Sequence, residues 1–115
     1  MKTGFIVEGF CDENHIFNVL GHRYIAVVTN GTRFTNRTRM DINKALTLVD
    51  KLYILTDPDE AGDRIAEMIL NEYPGLERIH LDASKCKYID RRYRQFTGVE
   101  YADPAYLREV LSKYI

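Results

Sequence analysis

Four short apolar runs rich in β-branched and aromatic residues alternate with four stretches of helical period. "GFIVE" (4–8), "RYIAVVT" (23–29), "KLYILT" (51–56) and "LERIHL" (76–81) read as strands. The second and third are nearly continuous apolar runs, the pattern of strands covered on both faces of a parallel sheet. Between the runs the period lengthens. Ile16, Phe17 and Leu20 mark a first helix, with Asp12 placed to cap its start and Gly21 to stop it. Ile42, Ala45, Leu46 and Val49 form the stripe of a second helix; Ala61, Ile65, Met68 and Ile69 that of a third; Leu107, Val110, Leu111 and Tyr114 that of a fourth. Strands alternating with helices imply βαβ units, hence an α/β fold with a parallel sheet and right-handed crossovers. Two polar segments, 30–39 and 83–98, show neither period and read as irregular.

The 115 residues suffice for one core, so the chain reads as a single domain, 1–115. At 45% apolar and 29% charged it has an ordinary globular composition. No apolar run approaches membrane-spanning length, and the N-terminus lacks a signal-peptide pattern. Cys11 and Cys86 match no metal-ligand spacing, which points to free thiols and a cytoplasmic setting.

A net charge of −1 conceals segregation. No acid separates Glu13 from Asp41, an interval holding Arg23, Arg33, Arg37 and Arg39. Residues 83–99 carry Lys85, Lys87, Arg91, Arg92 and Arg94 against Asp90 alone. By contrast, Asp57, Asp59, Glu60 and Asp63 crowd directly behind the third strand. Local stability explains this knot in one way: Asp57 as N-cap, Pro58 in the first turn and Glu60 three residues on make a capping box. Position in the fold offers another. Ligands of parallel sheets bind at the carboxyl ends of strands, where Glu8 and Asp57 both fall. In a flavodoxin-like strand order those strands are neighbours, so Glu8, Asp57 and Asp59 converge. Three such carboxylates repel unless a cation holds them, and all-oxygen ligands suit Mg²⁺, with Mn²⁺ as a substitute. Gly9 would permit a tight turn and close backbone approach beside them.

"VEGFCDENHI" (7–16) followed by "LTDPDEAGDRI" (55–65) resembles the paired motifs of the Toprim domain. Glu8, Gly9, Asp57, Asp59 and Gly62 match them, and Asp63 stands where several members have glutamate. "TNGT" (29–32) and "GVEYADPAYLREVL" (98–111) are similar to the branch that matures 5S ribosomal RNA, with Tyr101 replacing a histidine. That ribonuclease has a further C-terminal region, so its own substrate and partner do not carry over.

The resemblance implies a four-stranded parallel sheet flanked by helices on both faces, a Rossmann-like arrangement. It implies metal-dependent phosphotransfer in RNA processing or DNA repair: a nuclease on structured RNA or DNA, with Glu8 as general acid or base and Asp57 and Asp59 sharing with it the metal. Arg33, Arg37, Lys85, Lys87, Arg91, Arg92 and Arg94 are candidates for nucleic-acid phosphate contacts. Tyr88 and Tyr93 are placed to stack on bases; the other tyrosines read as core or rim. His15, His22 and His80 share no ligand spacing. The alternative is a non-catalytic nucleic-acid-binding or regulatory module that depends on a partner protein.

Overall fold

The computed structural model describes residues 2–21 and 24–115. Its central sheet has four parallel strands, β1 (Thr3–Val7), β2 (Ile25–Val28), β3 (Lys51–Ile54) and β4 (Glu77–Arg78), in the order β2-β1-β3-β4. The expected adjacency of β1 and β3 is therefore observed, with Ile6 opposite Ile54. The expected start of β2 at Arg23, and the role of His22, lie outside the described residues. All of β1 is buried, and its alternation sends Phe5 and Val7 to one face and Ile6 to the other.

Helices α1 (Phe10–Leu20) and α4 (Pro104–Leu111) cover the first face, where Ile16, Val19, Leu107 and Leu111 join Phe5, Val7, Leu55 and Ile79. Helices α2 (Asn36–Leu48) and α3 (Glu60–Glu72) cover the second, where Ile42, Ala45, Ile65 and Ile69 surround Ile6, Val27 and Ile54. Two expected stripe members, Leu46 and Met68, are exposed instead, while Val49 packs against the second core cluster from the C-cap of α2. Among the described residues no helix is long and apolar enough to cross a membrane. Both cysteines are free, Cys86 buried in the core and Cys11 exposed.

Four further sequence expectations change in the sheet, in α1 and α2 and in segment 83–98. The apolar run of β2 belongs to an edge strand, and only Val27 within it is fully buried. Helix α2 begins inside the segment read as irregular because the Thr35 hydroxyl caps it, accepting from the Thr38 N–H; its first turn is polar and so shows no stripe. Segment 83–98 is also ordered. It forms a helical turn (Ala83–Lys85) and an antiparallel hairpin of β5 (Lys87–Ile89) and β6 (Gln95–Thr97), followed by a second turn at Val99–Tyr101. Finally, Asp12 does not cap α1. Gly9 occupies that position, and Asp12 sits one turn in, its carboxylate accepting from the Gly9 N–H at 3.0 Å.

Candidate functional site

The acid cluster is built from two strand ends and the turn beyond the hairpin. Glu8 follows β1, and its carboxylate crosses to the neighbouring strand, where Oε2 accepts the Asp57 N–H at 2.6 Å. The Asp57 carboxylate lies beside that of Glu8, with its Oδ1 accepting from the Val99 N–H at 2.8 Å. Behind them, Asp12 Oδ1 accepts from the Glu100 N–H at 2.9 Å. The "GVEYA" segment thus has a physical function, because two consecutive amides each donate to a site carboxylate. Gly98 lies against the same group, its would-be Cβ 3.4 Å from Asp57 Oδ1.

The capping box expected at Asp57 is not formed. Asp59 caps α3 instead, accepting the Gly62 N–H at 2.7 Å, and Glu60 is the first helical residue. Asp57 is thereby released from the helix end. Its carbonyl turns toward α3 so closely that a Cβ on Gly62 would lie 1.9 Å from it. The motif glycine is needed for that approach, not for its dihedral freedom. The turn is also tied by Thr56 Oγ1, which donates to the Gly62 carbonyl at 2.9 Å. Arg78 reaches in from β4, donating to Asp63 Oδ1 at 2.7 Å and to the Asp57 carbonyl at 3.3 Å. Gly9 differs from Gly62. Its backbone is extended, and a Cβ there would meet only Asp12 Oδ2 at 3.6 Å, so the space over it is open.

Electrostatics follows from this crowding. Burial, together with the neighbouring Asp57 and Asp59 carboxylates, pushes the Glu8 carboxyl up to about 8. Asp12 rises to about 6, mainly through burial and then through Asp57. Asp57 is also raised, by burial first. Cys11 beside them is no activated thiol, because the Glu100 carboxylate that accepts from it raises its pKa.

The donor set fits a hard divalent ion: oxygen ligands only, desolvated, mutually repelling and bordered by open space at Gly9. Glu8 and Asp57 are the pair brought together. Asp59 is adjacent but engaged at the helix end, and among the described residues no three metal-ligating side chains form a ready-made cage.

The basic candidates divide into two groups. Arg33 is exposed on the loop after β2, two residues beyond Gly31, whose N–H donates to the Glu8 carbonyl at 2.9 Å. Arg37 lies farther along, in α2, paired with Asp41 at 3.3 Å. Lys85, Lys87, Arg91, Arg92 and Arg94 belong to the hairpin or its root. That root touches the acids, since the Gly98 N–H donates to the Cys86 carbonyl one residue before Val99. The sequence reading missed Glu100 and Arg78. Glu100 lies in the "GVEYA" segment and Arg78 in β4, and only the tertiary fold brings either to the turn. His15 has a structural task, its Nε2 lying 2.7 Å from the Ala102 carbonyl oxygen.

These features define a doubly wound parallel α/β domain that presents an acidic pair at adjacent strand ends. The chain belongs to the Toprim domain family, whose model matches residues 3–89. It is similar to the uncharacterized protein YusF of Bacillus subtilis (strain 168), 34% identical over 83 residues, which cover 71% of this chain and 55% of the relative. It is also similar to ribonuclease M5 of Mesoplasma florum, 29% identical over 100 residues, which cover 87% of this chain and 55% of the relative. The chain therefore spans about half the length of these curated relatives. Among solved structures, a small TOPRIM domain protein from Bacillus stearothermophilus matches with a TM-score of 0.72 and 28% identity. The match covers 99% of this chain and 89% of that one.

Proposed function

We propose that this domain performs Mg²⁺-dependent phosphoryl transfer on nucleic acid, as a nuclease acting on structured RNA or DNA. The similarity to a ribonuclease favours RNA. The observation that carries the reading is the Glu8–Asp57 pair, two carboxyls at neighbouring strand ends joined through a 2.6 Å bond to the Asp57 amide. Glu8, Asp57 and Asp59 would hold the ion, Mg²⁺ or Mn²⁺. When bound, it supplies positive charge to neutralise phosphate oxygens and to orient an attacking water.

The chain's own residues do the rest. Glu8 takes or returns the proton of the attacking or leaving oxygen, help worth about 10²–10⁴-fold. The Val99 amide fixes the Asp57 carboxylate, and Arg33, Arg37, Lys85, Lys87, Arg91, Arg92 and Arg94 meet backbone phosphates.

A second reading, a binding or regulatory module completed by a partner protein, draws on one observation: the Asp59 carboxylate is already engaged by Gly62. Titrating Mg²⁺ against labelled RNA and DNA, with wild type beside Glu8→Gln, separates the two. Cleavage by wild type alone supports the nuclease. Binding without cleavage by either protein supports the module, and cleavage by both contradicts the role of Glu8.

A further inference from the structure

The hairpin carries aromatic surface that the core does not use. Tyr88 and Phe96 face each other across β5 and β6, and Tyr88 stacks on Tyr101 with centroids 5.6 Å apart and planes at 14°. Even so, Tyr88 is 51% exposed and Phe96 38%. Arg94 lies over the Phe96 ring at 5.8 Å. The tip presents Tyr93, which is 89% exposed.

Tyr93 is held in a conformation that its side chain disfavours. Its φ is +61°, the left-handed region that glycine or asparagine occupies at low cost and a bulky residue rarely does. The turn leaves no freedom to relax. The Asp90 carboxylate accepts from the Arg92 N–H at 2.9 Å, the Arg94 N–H at 2.8 Å and Arg94 Nε at 2.8 Å. The Asp90 carbonyl also accepts from the Tyr93 N–H at 3.0 Å. A tight turn alone has no use for a ring here. On either side stand Arg91, Arg92 and Arg94; the first two have no ion-pair partner among the described residues. Cations flanking an exposed ring match an unpaired nucleotide, with phosphate on the arginines and base on the tyrosine.

We propose that the hairpin tip, with Tyr93 as its stacking residue and Arg91 and Arg92 as its phosphate contacts, captures an unpaired stretch of RNA beside the acid pair. The inference rests on the nucleic-acid reading above and specifies the substrate: a duplex alone does not engage this element. Val99 lies six positions beyond Tyr93, a reach of at most about 20 Å at ~3.3 Å per residue. That corresponds to about six stacked nucleotides at ~3.4 Å each. The tip therefore sets the distance from an unpaired end, loop or bulge to the bond that is cut.

The test is equilibrium binding in EDTA, so that affinity is read without cleavage. Fluorescence anisotropy compares a labelled single-stranded RNA with a blunt duplex of the same sequence, for wild type, Tyr93→Gly and Tyr93→Phe. Tyr93→Gly is expected to weaken single-strand binding about 5- to 100-fold. It should leave duplex binding unchanged and the melting temperature no lower than wild type, because glycine relieves the backbone. Tyr93→Phe retains the affinity. Wild-type affinity in Tyr93→Gly, or equal losses on strand and duplex, would overturn the proposal. Wild type that binds through Tyr93 yet never cleaves with Mg²⁺ contradicts the nuclease reading and leaves the hairpin assignment standing. Wild type that binds no RNA contradicts both.

Discussion

Replacing Glu8 by glutamine should stabilise the metal-free domain at alkaline pH while removing its response to magnesium. The sign follows from linkage. A carboxyl whose native pKa stands at about 8, against an ordinary 4.5, binds more protons folded than unfolded between those values. The contribution of Glu8 to stability is therefore greatest below pH ~4.5 and is lost as pH rises to ~8. A fully buried group carrying this difference would cost up to ~5 kcal/mol. Glu8 is only half-buried, so water screening reduces the cost to ~1–2 kcal/mol. A glutamine oxygen can still accept the Asp57 N–H, and its amide can donate to the Asp57 carboxylate, so the variant keeps the bond and loses the repulsion. Thermal unfolding followed by circular dichroism in EDTA should place Glu8→Gln ~4–10 °C above wild type at pH 8 and level with it at pH 4.5. Adding Mg²⁺ should raise the wild type and not the variant. A variant that melts below wild type at pH 8, or a gap between them that does not change with pH, would refute the reasoning.

Other substitutions probe the turn and the charges. Gly62→Ala drives a methyl into the Asp57 carbonyl and should cost ~1–3 kcal/mol in urea unfolding while lowering Mg²⁺-dependent cleavage, because the Asp57 turn must shift. Asp59→Asn keeps a good N-cap, so its unfolding free energy in urea should stay within ~0.5 kcal/mol of wild type while cleavage falls at least tenfold; matched stability and full activity would assign Asp59 to capping alone. If about six of the basic side chains contact phosphates, affinity for RNA should drop ~10³-fold or more between about 50 and 200 mM salt, as read by anisotropy.

The chain's hydrophobic pattern was enough to recover the alternating strands and helices of an α/β fold, because buried strands and amphipathic helices leave different periods. The β1–β3 contact followed from a supposed flavodoxin-like strand order, and the sheet covered on both faces from the Toprim resemblance. The pattern also located Glu8 and Asp57 at strand ends. What it misjudged was local. Asp57 and Asp59 are both competent caps two residues apart, and only the approach of the Asp57 carbonyl to Gly62 decides that Asp59 takes the helix. The hairpin went unread because its strands are exposed on both faces, Lys87, Tyr88 and Ile89 among them, so no alternation records a buried side. Thr35 began α2 under a polar first turn that carries no stripe. The amides of Val99 and Glu100 were invisible for a different reason: backbone donors have no letter in a sequence, and their partners lie 42 and 88 residues away.

The central claim is that Glu8 and Asp57, with Asp59, share one divalent ion. Isothermal calorimetry of Mg²⁺ into the wild-type domain at pH 8, repeated with Asp57→Asn, tests it directly. The expected result is saturable one-site uptake by wild type that vanishes in the variant. No uptake by wild type even with RNA present, or unaltered uptake by Asp57→Asn, would contradict it.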